Sequence, residues 1–217
     1  MISVDKVIAT NLPQLTNSFK IKKLVKKSLS YLLHEQEFTN FATAYPHLQG
    51  IEFVEQVLDE LDFETRYKAK QIENIPSEGK IVIIANHPIG SLDALALINV
   101  LSTVRADLKV VANRMLTTVD AMHSLLLPVD NLSGQSKKQE LSNIHQHLKN
   151  EGALLIFPAG EVSRLRPTGI KDCKWNSGFL RIAKKANSPI LPIYIKARNS
   201  PLFYGASMLY KPLASLL

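Results

Sequence analysis

Ile81-Val82-Ile83-Ile84-Ala85-Asn86-His87-Pro88-Ile89-Gly90-Ser91-Leu92-Asp93 is the stretch that decides the fold. Four β-branched residues and an alanine leave no polar face, the pattern of a strand covered on both sides. Pro88 and Gly90 break it, and Ser91 opens a helical run toward Val104. A second stretch repeats the plan: Ala153-Leu154-Leu155-Ile156-Phe157-Pro158-Ala159-Gly160-Glu161-Val162-Ser163-Arg164. Each is an apolar strand, then a Pro and a Gly, then polar groups.

Working outward, strands are expected at Lys80–Ala85, Leu108–Ala112, Ala153–Phe157 and Ile190–Ile195. Helices are expected at Ser91–Val104, Lys137–Lys149 and Trp175–Ala186. Short apolar strands alternating with helices imply an α/β fold, a largely parallel central sheet flanked by helices. Upstream, the alternation of Phe63–Ala69 reads as an edge strand. Leu48–Leu61 reads as an acidic helix with Ile51, Val54, Leu58 and Leu61 on one stripe. Phe19–Leu33 reads as a basic amphipathic helix. Ile21, Leu24, Val25 and Leu29 share a stripe, and Lys20, Lys22, Lys23, Lys26 and Lys27 lie mostly on other faces. The expected division is an N-terminal helical, membrane-facing segment over 1–62 and an α/β domain over 63–217. The apolar segment Tyr204–Leu217 stops without a cap, as if the domain were cut short.

Composition bounds the function. The chain has 217 residues with 46% hydrophobic and 21% charged, which excludes a disordered or collagen-like chain. A single cysteine, Cys173, excludes an internal disulfide and a Cys-cluster metal site. The apolar runs Leu95–Leu101 and Leu125–Val129 fall far short of the ~20 residues of a membrane span. Met1–Ile8 has no signal-like apolar core. A net charge of +7 calls for an anionic partner: nucleic acid, a membrane surface or an acidic protein. Nucleic-acid binding rests on charge alone, because the basic helix lacks interleaved aromatics that stack bases. No Gly-x-Ser-x-Gly elbow exists, and no phosphate loop ends in Gly-Lys-Ser/Thr. His145 and His147 fall on different faces of a helix and make no metal pair.

In a parallel sheet, ligands bind beyond the carboxyl ends of the strands. If the two quoted strands are parallel neighbours, His87, Asp93, Glu161 and Arg164 open into one crevice. His87 is the candidate general base, since an imidazole exchanges a proton near neutral pH. Asp93 is placed to bind one ring nitrogen, fix the tautomer and leave the other nitrogen to accept. Gly90 and the N–H groups of the helix start are candidates for holding an oxyanion. Arg164 and Arg166 suit bidentate recognition of carboxylate or phosphate, with Glu161 to orient an Arg or bind an acceptor hydroxyl.

Asn86-His87-Pro88-Ile89-Gly90-Ser91-Leu92-Asp93 resembles the His/Asp block of the glycerolipid (lysophospholipid) acyltransferase superfamily. Phe157-Pro158-Ala159-Gly160-Glu161-Val162-Ser163-Arg164 resembles its Phe-Pro-Glu-Gly-Thr-Arg block. Ser188-Pro189-Ile190-Leu191-Pro192-Ile193-Tyr194 resembles its final strand motif. Val110-Val111-Ala112-Asn113-Arg114-Met115-Leu116 stands in the place of the intervening block, and Lys174-Trp175-Asn176-Ser177-Gly178-Phe179 in that of the Lys…Gly helix start. The ordered set covers about residues 70–197. Five residues separate His87 from Asp93 where the common form has four, and Glu161 follows Gly160 instead of preceding it. Both variants look like the haemolysin-like branch, which includes acyltransferases of ornithine-lipid synthesis.

The resemblance implies an O-acyltransferase of lipid metabolism and phospholipid or ornithine-lipid biosynthesis. The donor would be an acyl thioester of acyl carrier protein or coenzyme A, and the acceptor the hydroxyl of a lysophospholipid or lyso-ornithine lipid. It implies His87 and Asp93 as catalytic, and Asn86, Gly90, Ser91, Arg114, Gly160, Glu161 and Arg164 as substrate-binding. No metal or cofactor is implied, and no nucleic acid is expected. The five N-terminal lysines would bind an anionic membrane surface, making the protein peripheral on the cytoplasmic face. The alternative from another class is a non-catalytic basic domain that binds membrane or nucleic acid.

Overall fold

The computed structural model describes residues 40–41, 43–113, 116, 119–129, 138–167, 169–201 and 203–204. The expected basic helix with its five lysines, Arg114 and residues 205–217 lie outside the described residues.

Strand β1 (Ile81–Ala85) is buried at every position, as its apolar run requires. It pairs in parallel with β4 (Ala153–Ile156) on one side and β7 (Ile190–Ile193) on the other. Strands β2 (Lys109–Asn113) and β3 (Leu126–Val129) complete a five-stranded parallel sheet in the order β3-β2-β4-β1-β7. Side chains alternate across it with period two. Ile81, Ile83 and Ala85 join a core with Phe53, Val54, Ile98 and Leu101, contributed by α1 (Gly50–Glu60) and α3 (Ser91–Ser102). Val82 and Ile84 join the opposite core with Ile144, Leu148, Ile182 and Ala183, from α4 (Lys138–Lys149) and α5 (Gly178–Ala186). Each such aliphatic side chain, fully buried, contributes about 1.5–3 kcal/mol. Helix α5 ends at Asn187, which takes the left-handed conformation (φ 49°) that turns the chain into β7.

Several expectations change. Residues 63–68 form no strand. Phe63 and Thr65 are half-buried and Glu64 and Arg66 exposed, so the alternation marks an extended segment with no ladder to join. A four-residue helix α2 (Ala69–Ile72) follows it. Helix α1 buries Phe53, Val54, Val57 and Leu58 against the sheet and leaves Leu61 44% exposed, a rotation from the expected stripe. This last part of the expected 1–62 segment therefore packs with the α/β layers. A 3-10 helix (Asp120–Leu125) and β3 were not expected, nor was the antiparallel hairpin β5 (Arg164–Arg166) and β6 (Gly169–Lys171).

The amino end of the sheet is sealed by Arg105, which is 2% exposed. Its guanidinium grips Asp107 through two bonds of 2.8 Å and donates to the carbonyls of Pro76 and Glu151 at 3.0 Å each. A fixed fork of donors meets a carboxylate and two loop carbonyls, so the buried charge is compensated.

At the carboxyl end the connections diverge. The chain leaves β1 through α3 toward β2, beyond β4, while β4 leads through the hairpin and α5 to β7, beyond β1. Loops after adjacent strands that part in this way leave a crevice between them.

Candidate active site

His87 sits two residues past the end of β1, inside that crevice. Its Nδ1 lies 3.1 Å from Asp93 Oδ2, and its side chain is 14% exposed while that of Asp93 is fully buried. The same Asp93 oxygen accepts the N–H groups of Ile89 at 2.8 Å and Gly90 at 3.0 Å. Gly90 permits this closure because its φ of 90° and ψ of −139° lie in a region only glycine adopts freely. The expectation that the Gly90 amide faces an oxyanion is therefore corrected: that N–H is donated to Asp93. Asp93 Oδ1 is buried with no hydrogen-bond partner among the described residues.

A carboxylate partner places the proton on His87 Nδ1 and leaves the lone pair on Nε2. Nε2 has no hydrogen-bond partner among the described residues. The ring stacks on Phe157, the first residue after β4, with centroids 4.2 Å apart and planes 28° apart. The imidazole is thus held by a buried acid at one nitrogen and an aromatic face along its plane, with the other nitrogen unbonded among the described residues. That arrangement suits removal of a proton from a hydroxyl brought to Nε2.

The other expected site residues separate into groups. Glu161 and Arg164 form an ion pair, both side chains partly buried. Gly160 is an exposed turn glycine with φ 67°, its N–H donated to the Phe157 carbonyl at 3.1 Å. Ser91 is exposed at the first turn of α3. Asn86, expected to bind substrate, instead ties two strand extensions together: its amide donates to the Ile195 carbonyl at 2.8 Å and accepts the Ile195 N–H at 2.6 Å. A side-chain amide presents the same donor and acceptor as a backbone, which explains the substitution for a ladder bond. Arg114 lies outside the described residues. Burial, with the Glu161 carboxylate adding to it, pushes the Cys173 thiol up. Its S–H faces the Ala159 carbonyl at 3.1 Å, so it carries no thiolate nucleophile.

A family described as Acyltransferase matches residues 6–216. The chain belongs to this acyltransferase family. A lyso-glycine lipid O-acyltransferase of Bacteroides thetaiotaomicron is 29% identical over 215 residues, covering 98% of this chain and 77% of the relative. A second, of Phocaeicola vulgatus, is 25% identical over 215 residues, covering 98% and 75%. No solved structure matches. The enzyme is an O-acyltransferase, and the non-catalytic alternative is set aside on this ground.

Sequence reasoning missed three residues that shape the acyltransferase site. Phe157 was read only as part of a motif. Ser163 stood in the same motif without a role, and Asp172 carried no signal, because the His87 backbone they bind lies more than 70 residues earlier in the chain.

Proposed function

We propose that the enzyme transfers a fatty acyl group from a thioester to the hydroxyl of a lysolipid. The observation that carries this reading is a His87 ring fixed at Nδ1 by a buried Asp93, with Nε2 unbonded among the described residues. His87 Nε2 takes the hydroxyl proton as the oxygen attacks the thioester carbonyl. The tetrahedral intermediate collapses to the ester, and the thiolate leaves and recovers the proton from His87. Asp93 holds the ring in one tautomer and stabilises the imidazolium that forms. No acyl-enzyme is required, in keeping with the inert Cys173.

The acceptor we favour has a glycine-type head group, since both relatives carry that name. The ornithine and glycerophosphate head groups are the alternatives, and the haemolysin-like variants of the motifs favour an amino-acid lipid over a phosphate. Arg164, paired with Glu161, is the group we assign to the acceptor head. The donor is an acyl thioester of acyl carrier protein or coenzyme A. The basic N-terminal segment would hold the enzyme at an anionic membrane surface, on the cytoplasmic face, and a net charge of +7 suits an acidic carrier as well.

The test offers the purified enzyme thioesters of acyl carrier protein and of coenzyme A, radiolabelled in the acyl chain, with lyso-glycine lipid, lyso-ornithine lipid and lysophosphatidic acid as acceptors. Ester formed on lyso-glycine lipid, and lost with His87→Ala, supports the reading. Folded enzyme that acylates none of the three overturns it.

A further inference from the structure

We infer that Asp172, with Ser163, is the positioning device for His87, and this rests on the reading of His87 as the base. Asp172 follows the hairpin strand β6 and reaches back across the crevice. Its Oδ1 accepts the backbone N–H of His87 at 3.3 Å and the hydroxyl of Ser163. Its Oδ2 accepts the indole N–H of Trp175 at 2.8 Å. Ser163, which is buried, completes the clamp by donating its own N–H to the His87 carbonyl at 2.8 Å.

Both backbone polar groups of His87 are therefore held by one cluster, and the ring by another. The two clusters control different things. Asp93 and Phe157 fix the rotation of the ring about its side-chain bonds. Asp172 and Ser163 fix the point from which the side chain springs. A base whose ring is correctly rotated but whose Cα has shifted still misses the hydroxyl, and a misplacement of ~1 Å costs about 10²-fold. Here His87 has its N–H and its C=O bound by residues 76 and 85 positions later in the chain, on the wall that faces it. Asp172 touches no reacting atom in this arrangement; it acts through His87.

The chain's single tryptophan is Trp175, so its emission reports directly on the second oxygen of the clamp. The experiment uses the enzyme with an acyl thioester of coenzyme A or of acyl carrier protein, and lyso-glycine lipid. It compares Asp172→Ala, Asp172→Asn, Ser163→Ala, His87→Ala and the double variant His87→Ala/Asp172→Ala. Asp172→Ala should lower kcat about 10- to 100-fold. The KM values for both substrates should stay within about 2-fold, since no substrate contact is lost. Asp172→Asn keeps an oxygen for His87 and Ser163 but turns an NH2 toward the indole. It should retain kcat to within about 3-fold while the tryptophan emission shifts. In the His87→Ala background, Asp172→Ala should change nothing further.

Full kcat in Asp172→Ala, equal losses with and without His87, or a loss confined to KM would overturn the positioning role. If Asp172→Ala does not fold, Asp172→Leu, similar in size but unable to accept a hydrogen bond, decides: a kcat loss of about 10-fold or more at unchanged KM supports the clamp, and unchanged kcat overturns it. Ser163→Ala, which keeps its N–H on the His87 carbonyl and loses only the hydroxyl to Asp172, should lose less than either. His87→Ala retaining full turnover would instead overturn the base, an outcome that does not involve Asp172.

Discussion

Asp93 Oδ2 bonds the ring of His87 and, through Ile89 and Gly90, the loop that carries that ring. Orientation and loop shape therefore depend on one oxygen atom. His87→Ala should lower turnover by ~10²–10⁴ with the fold intact. Asp93→Asn should do nearly as much damage, because an amide permits the wrong imidazole tautomer. Initial rates of ester formation, with circular dichroism as the control for folding, check both. Near-normal transfer by His87→Ala would remove it from the chemistry.

Gly90→Ala places a side chain at φ 90°, ψ −139°. Such a conformation costs a non-glycine residue on the order of 1–3 kcal/mol. The loop should relieve it by withdrawing the Gly90 N–H from Asp93, so both melting temperature and kcat should fall. Thermal unfolding alongside turnover would expose the error if the variant matched the parent in both.

Arg164→Lys keeps the positive charge beside Glu161 but loses the planar fork. The KM for the lysolipid should rise more than the KM for the thioester. Equal changes in the two constants, or none, would take Arg164 out of the acceptor site.

Replacing Lys20, Lys22, Lys23, Lys26 and Lys27 with Gln should weaken binding to anionic vesicles. Each lysine near such a surface contributes about 1 kcal/mol. Added salt should weaken the parent enzyme in the same way, because the attraction is screened. Cosedimentation with phosphatidylglycerol vesicles measures both effects. Indifference to both treatments would end the membrane role of this segment and leave acyl transfer untouched.

At the amino end of the sheet, the Arg105 guanidinium holds the Asp107 carboxyl below the usual carboxylate range, opposed by partial burial. A depressed value means the pair's stabilisation is complete above the unfolded-chain value of ~3.9 and fades as the pH falls through the folded one. Asp107→Asn should therefore cost stability at neutral pH and flatten the acid limb of the stability curve below about pH 4. The loss should be roughly 1–2 kcal/mol, at the low end for a charged bond because Asp107 is 44% exposed. Urea unfolding at pH 7 and pH 3 measures it, and a parallel loss at both values would contradict the argument.

The sheet was legible wherever burial left a mark on composition. Strands β1, β2, β4 and β7, and helices α1, α3, α4 and α5, were each placed to within a few residues. Strand β3 was missed because its apolar run, Leu125–Val129, was weighed only against the length of a membrane span. The hairpin of β5 and β6 was missed because strands of three residues, two of them exposed in each, carry no apolar pattern. The His87–Asp93 pair could be read because its members stand six residues apart on one strand–loop–helix unit. Asn86 misled because an amide beside a candidate base looks like a ligand-binding group, while its partner Ile195 is 109 residues away.

Those distances along the chain also order its assembly. The base and its acid lie within a stretch that leaves the ribosome early. The residues that grip the His87 backbone, and Ile195 which fastens the preceding residue, come 76 to 109 positions later. A nascent chain that has made β1 and α3 holds both reactive side chains but has not yet made the wall that aims them.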